Sequence, residues 1–379
     1  MRVYFDNAAT TPVLPEVAES IYSCLKNTFG NPSSSHAFGR TAKGELETSR
    51  RTISKFLNCS PAEIFFTSGG TEADNMAFYT AVHNLNVEQI ITTHIEHHAV
   101  CHTAEKYANE NKLDLHFLEV DSKGNISFQE LENLLKNGKR TFVSIMHANN
   151  EIGTLADIKA ISALCHKYEA FFHSDTVQTM GHYAFDLNDL QIDFITCAAH
   201  KFHGPKGIGF LYVNKRIKPN VLIHGGAQER GFRAGTENIS GIVGLAKAME
   251  IAYSNLESHQ KHVQELKTYF KEKLVSSIED VQFNGETAPE KSLYTVLSCS
   301  FPANEKSGML LFTLDLKGVA CSGGSACSSG ANKGSHVMEG IKADPNRPTV
   351  RFSFSHLNNK AEVDFVVEKL KEIYQTVNA

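Results

Sequence analysis

The chain has no basic excess: 37 lysines and arginines stand against 42 aspartates and glutamates, a net charge of −5. Without surplus positive charge there is little to neutralise phosphates, which argues against a general nucleic-acid binder. No apolar run approaches the ~18 residues of a membrane span, and the N-terminal stretch MRVYFDNAATTP lacks the apolar core of a secretory leader. There is no CxxC pair and no internal repeat. Cys24, Cys59, Cys101, Cys165, Cys197, Cys299, Cys321 and Cys327 are scattered, as reduced cytosolic thiols are, and form no disulfide framework. What is present is 379 residues, 41% apolar and 21% charged, so a disordered chain is excluded and about two domains fit. The expectation is a soluble cytoplasmic enzyme that binds neither membrane nor nucleic acid.

From about Glu45 to Val213 short β-rich runs alternate with helical patterns. The runs Ile64–Thr67, Gln89–Thr93, Leu115–Glu119, Thr141–Met146, Phe171–Ser174, Phe194–Cys197 and Gly209–Val213 read as strands, with helices such as Ala73–Leu85 and Ile158–Tyr168 between them. Alternation on this scale predicts an α/β fold with a mainly parallel, helix-flanked sheet, whose ligands sit beyond the carboxyl ends of the strands. A long helical pattern from Ile239 to about Leu274 changes the texture. After it come strand-like Thr295–Phe301, a helix around Met309–Leu316, strand-like Val350–Ser355 and a helix from Lys360. This is the pattern of a smaller α+β domain. The predicted division is a large domain over 15–255 and a small one made of 1–14 and 256–379. Within the latter, eight of the thirteen residues of SGGSACSSGANKG, 322–334, are Gly or Ser. That composition packs no core and predicts a mobile loop, here with a cysteine at its centre.

Three places at strand ends carry chemistry. Ile64–Thr67 runs into Ser68-Gly69-Gly70-Thr71, where glycines, a helix N-terminus and a hydroxyl make a phosphate cradle. On its own the stretch also reads as a plain strand-to-helix turn capped by Thr71. Asp175 ends the apolar run Phe171–Ser174, with Gln178 three residues on; it reads as a helix N-cap or as the anion for a buried ligand cation. Lys201 follows an apolar, small-residue segment and precedes a Gly-Pro turn, where desolvation lowers an amine's pKa and makes it a usable nucleophile. Lys206, in GPKG, reads as a surface lysine. An anchored phosphate, a carboxylate for a ring nitrogen and a reactive lysine are together what pyridoxal 5′-phosphate requires.

In this order the three elements resemble the fold-type I pyridoxal-phosphate enzymes of the class V aminotransferase group. Nearly the whole chain is similar to the cysteine desulfurases of the NifS/IscS type, through YFDNAATTP, GNPSSSHAFGR, SGGTEADN, IEHHAV, MHANNEIGT, SDTVQT, HKFHGPKGIG, GGAQERGFRAGTEN, SGGSACSSG and VRFSFS. The resemblance implies that Lys201 holds the cofactor through its amine and shuttles protons, and that His97 stacks on the ring and assists. It implies that Asp175 pairs with the ring nitrogen and that Asn150 and Gln178 bond the ring substituents. Gly70, Thr71 and His200 would hold the phosphate, joined by Thr236 of a second subunit, hence a homodimer. Asn31 and Arg351 would grip the carboxylate of L-cysteine. Cys327 would attack the substrate's sulfur, leaving an enzyme persulfide and, after protonation, alanine. The sulfur would then pass to an acceptor protein, an iron–sulfur scaffold or a tRNA thiolation enzyme.

Departures from the family pattern are Ala198, where Ser or Thr usually offers the phosphate a hydroxyl, and Cys321, a small buried apolar residue or a resolving thiol. The chain also ends soon after its last helix, where longer members carry an extension associated with docking the iron–sulfur scaffold. His94, His98 and His102 recur at i, i+4, i+8 as metal ligands on a helix face do, but a strand ends just before them and no HExxH pattern accompanies them. No metal is expected. The alternatives in function are selenocysteine lyase and a non-catalytic sulfur carrier or scaffold.

Overall fold

A computed structural model describes residues 1–304, 307–323 and 334–375. The strands among them, in chain order, are β1 Val3–Tyr4, β2 Ile64–Thr67, β3 Gln89–Thr93, β4 Asp114–Leu118, β5 Thr141–Ser144 and β6 Phe171–Asp175. They continue with β7 Phe194–Ala198, β8 Gly209–Val213, β9 Gln282–Asn284, β10 Val296–Ser300, β11 Val319–Ala320 and β12 Thr349–Ser353. Seven form one sheet in the order β2-β8-β7-β6-β5-β3-β4, in which only β8 runs against its neighbours. The expected α/β class is what forms. Strand β9 joins β10 and β12 in an antiparallel sheet, and β1 pairs with β11.

The period of two along each strand of the large sheet decides which face a side chain serves. In β2, Ile64 and Phe66 pack with Leu46, Ile53 and Met249 on one face, whereas Phe65 packs with Met76, Ala77 and Val100 on the other. Both faces are covered, which is why β2, β5, β7 and β8 are buried along their whole length. A separate core joins Val3 and Phe5 to Phe270, Phe301, Phe352 and Leu370.

The single helix read over 239–274 is two, Ile239–Ser254 and Leu256–Ser277, parted at Asn255. Asn255 sits at φ −119°, ψ 15°, outside the helical well. The break lets the first half pack Ile242, Leu245 and Met249 against the large sheet while the second packs Val263, Leu266 and Phe270 into the other core. Apolar periodicity ran through a change of partner that only packing reveals. Among the described residues no helix is long and apolar enough to cross a membrane.

Candidate active site

Strand β2 ends at Thr67, and Gly69 turns the chain at φ +152°, a conformation L side chains rarely adopt. The helix therefore starts at Gly70, three residues before the sequence pattern placed it, and Gly70 and Thr71 form its first turn. Their side of the turn faces a cavity of about 270 Å³ at the carboxyl ends of the strands. A Cβ on Gly70 would lie 2.8 Å from the Val177 side chain, so a larger residue would intrude on the wall. His97, from the segment after β3, and Asp175, at the end of β6, line the same cavity. So do Asn150, Gln178, Ala198, His200, Lys201 and Arg351.

Lys201 lies in the short turn Ala199–Lys201 that follows β7. Its Nζ donates to the carbonyls of Ala8 at 2.7 Å and Ala9 at 2.9 Å, from the N-terminal DNAATTP segment. Gln178 donates to Ala8 as well, at 3.0 Å. Lys206, five residues on, is exposed. His200 places Nδ1 3.2 Å from Thr10 Oγ1, and burial, with Lys201 and Lys206 adding to it, pushes its pKa down to about 4. Burial also holds His97 below the ordinary histidine range, Asp175 opposing and Lys201 reinforcing. Asp175 itself is pushed up to about 6 by burial and by neighbouring Asp74. Asp74 is a wall residue that no local signal marked, since it sits inside a helical pattern; burial pushes it up to about 7.

Arg351 enters from β12 with its side chain almost wholly buried. Nη1 donates to the Asn150 carbonyl at 2.8 Å and Nη2 to Asp6 Oδ1 at 2.8 Å, while buried Nε has no partner. Asp6, the carboxylate that holds this arginine, was not singled out in the sequence. Asn31 is not at this wall: it lies exposed before the helix Ala37–Phe56, and its Oδ1 accepts the Ser33 N–H at 2.9 Å. Thr236 is exposed too and borders a different depression, together with Ser68. Cys327 and most of 322–334 lie outside the described residues.

Two alternative readings do not survive. Asp175 caps no helix; a turn follows, and Oδ1 accepts the Val177 N–H at 2.8 Å. The three histidines share no helix face, because the helix begins only at His98. His94 precedes it and stacks on Phe117 at 3.9 Å, while His98 stacks on His102 at 4.8 Å.

The wall suits pyridoxal 5′-phosphate on its chemistry. One amine, two buried carboxylates raised by burial, a glycine-threonine helix start and two imidazoles of lowered pKa face one volume, and a cationic ring nitrogen would relieve Asp175. Ala198 withholds a hydroxyl at that wall. A charge-assisted hydrogen bond to a phosphate contributes roughly 1.5–3 kcal/mol, so Ala198→Ser should slow cofactor loss on dialysis by at least about tenfold. The rate of turnover in excess cofactor should barely change. Equal loss from the two proteins would mean that backbone amides or water already satisfy the phosphate.

Comparison with known proteins points the same way. Residues 3–366 match the aminotransferase class-V family. The cysteine desulfurase IscS of Dictyoglomus turgidum is 40% identical, with 99% of this chain and 95% of that one aligned. That of Methanosarcina thermophila is 39% identical over 98% and 92%. Among solved structures, a NifS-like protein superposes with a TM-score of 0.90 at 37% identity, covering 99% of this chain and 100% of the other. SspA in complex with cysteine superposes with a TM-score of 0.80 at 31% identity, covering 93% and 99%.

Proposed function

The chain belongs to the aminotransferase class-V family and is a pyridoxal-phosphate-dependent cysteine desulfurase, and from that premise we propose how its own residues divide the work. The substrate is L-cysteine, the products are L-alanine and a persulfide on Cys327. The convergence of Lys201, Asp175 and His97 on one cavity supports this reading best. Pyridoxal phosphate, when bound, supplies an electrophilic carbon for the substrate amine and a conjugated ring that takes up electrons released from Cα.

Lys201 would hold the cofactor through Nζ and, with its amine free, would move a proton at the substrate's Cα. The Ala8 and Ala9 carbonyls that now accept from Nζ hold the amine at the cavity wall. Asp175 holds the ring-nitrogen proton. His97, uncharged at neutral pH because of its burial, stacks on the ring and accepts a proton. Asn150 and Gln178 bond the ring substituents, and Gly70, Thr71 and His200 hold the phosphate. Arg351, a guanidinium at the cavity wall, receives the substrate carboxylate. Asn31, exposed and outside this chain's own cavity lining, does not join Arg351 there. Cys327, as thiolate, attacks the substrate's sulfur; the S–C bond of the substrate breaks, its electrons return to the substrate carbon, and a proton completes alanine.

Thr236 lies outside this chain's own cavity and is exposed, which fits its contributing to a second copy's phosphate site in a homodimer. The small unit of 1–14 and 256–379 would then carry the sulfur from the cavity to an acceptor protein of iron–sulfur assembly or tRNA thiolation in the cytoplasm. Incubation with L-cysteine and, separately, L-selenocysteine tests the assignment. Alanine with one added sulfur on Cys327 is expected from cysteine. Alanine from selenocysteine alone, with Cys327 unmodified, would instead make the chain a selenocysteine lyase; no alanine from either would make it a carrier.

A further inference from the structure

The described residues on either side of 324–333 are tied to one continuous network at the cofactor cavity. On the near side, Ser322 pairs with β12 at Arg351: the Arg351 N–H donates to the Ser322 carbonyl at 2.6 Å and the Ser322 N–H to the Arg351 carbonyl at 3.3 Å. Arg351 then donates from Nη1 to the Asn150 carbonyl at 2.8 Å. The next residue, Glu151, is buried, and its Oε2 accepts from Ser335 Oγ at 2.5 Å, on the far side of the segment. The same Ser335 oxygen accepts the Val337 and Met338 N–H groups at 3.1 and 3.2 Å, which fixes its direction. One residue on, His336 Nε2 donates to the Glu96 carbonyl at 2.8 Å, beside His97. Val337 and Ile341 then bury themselves against Ile95 and Ile152.

We propose that Glu151 and Ser335 are positioning residues for sulfur transfer, clamping the far end of the Cys327 segment to the same network that places Arg351 at the cavity. The proposal rests on the assignment of the persulfide to Cys327. Cys327 lies in the chain between Ser322 and Ser335, and freeing either attachment lowers the effective concentration of its thiol at the cavity. Glu151 itself does not line the cavity. Its carboxylate works through Ser335, a hydroxyl 184 residues away in sequence. The segment's two attachments and the carboxylate's receptor thus share one chain of hydrogen bonds.

The test uses the cofactor-loaded enzyme. Glu151→Ala and Ser335→Ala should each lower kcat for alanine formation from L-cysteine by roughly tenfold, and the two effects should not multiply in the double variant, because the two side chains share one hydrogen bond. Binding of L-alanine, followed by the cofactor's visible spectrum, should stay within about twofold of the parent, since that step needs no Cys327. Ser335→Thr, which keeps the hydroxyl, should restore most of the turnover. If Glu151→Ala does not hold cofactor, Ser335→Ala and Ser335→Thr carry the comparison. Unchanged kcat in Ser335→Ala, or a loss of L-alanine affinity that parallels the loss of kcat, would overturn the proposal. Full turnover in Cys327→Ser would instead strike the assignment of Cys327, and an inactive Cys327→Ser beside a fully active Ser335→Ala would strike the clamp alone.

Discussion

Cys327→Ser should still bind L-cysteine, seen as a shift of the cofactor's visible band, yet form alanine more slowly by on the order of 10³-fold or more, as when a covalent nucleophile is removed. A serine hydroxyl does not attack divalent sulfur as a thiolate does, so the S–C bond has no acceptor for its sulfur. The seven cysteines of the described residues offer no substitute. Burial raises the pKa of each, and Cys59, Cys101 and Cys321 are pushed up to about 12, so at neutral pH they stay thiols. Cys321, six residues before Cys327, is the one to compare directly. It is half-buried and its thiol is held protonated, and Cys321→Ser should keep turnover and persulfide. Loss of the persulfide in Cys321→Ser, with its retention in Cys327→Ser, would transfer the role to Cys321.

Lys201→Ala should remove the visible band of the protein-bound cofactor and reduce turnover by a comparable on the order of 10³-fold, whereas Lys206→Ala should retain both. The two lysines are five residues apart and chemically identical; their surroundings differ. Nζ of Lys201 lies at the cavity wall between the carbonyls of Ala8 and Ala9, with a desolvated carboxylate and two uncharged imidazoles around the same volume. Lys206 is exposed and does not line the cavity, so it has no cofactor to hold. Retention of the band in Lys201→Ala together with its loss in Lys206→Ala would reverse the assignment.

How much of this was legible in the sequence depends on how local each feature is. Strands β2, β3 and β8 have the boundaries that apolar runs between turn residues predict, because a strand buried on both faces declares itself residue by residue. Their order in the sheet is not a local property, but parallel β-α alternation restricts it, and with it the side on which the strands' carboxyl ends meet. Glycines after β2, an aspartate at the end of β6 and a lysine after β7 were therefore readable as one site before any coordinates. The break at Asn255 was not readable, since apolar spacing is the same whether a helix continues or changes its partner.

What only the tertiary structure decided are contacts between residues far apart in the chain. Arg351 meets the Asn150 carbonyl across 201 residues and Asp6 across 345, and Glu151 meets Ser335 across 184. No periodicity encodes such pairs, because each lies in an element whose pattern is already explained by its own burial. Likewise the raised pKa of Asp175 and the lowered one of His97 arise from desolvation by groups brought in from other strands. The sequence by itself determined which side chains stand at the strand ends and what chemistry they carry. Folding decided their distances, their protonation, and that Asn31 and Thr236 stand outside the cavity wall.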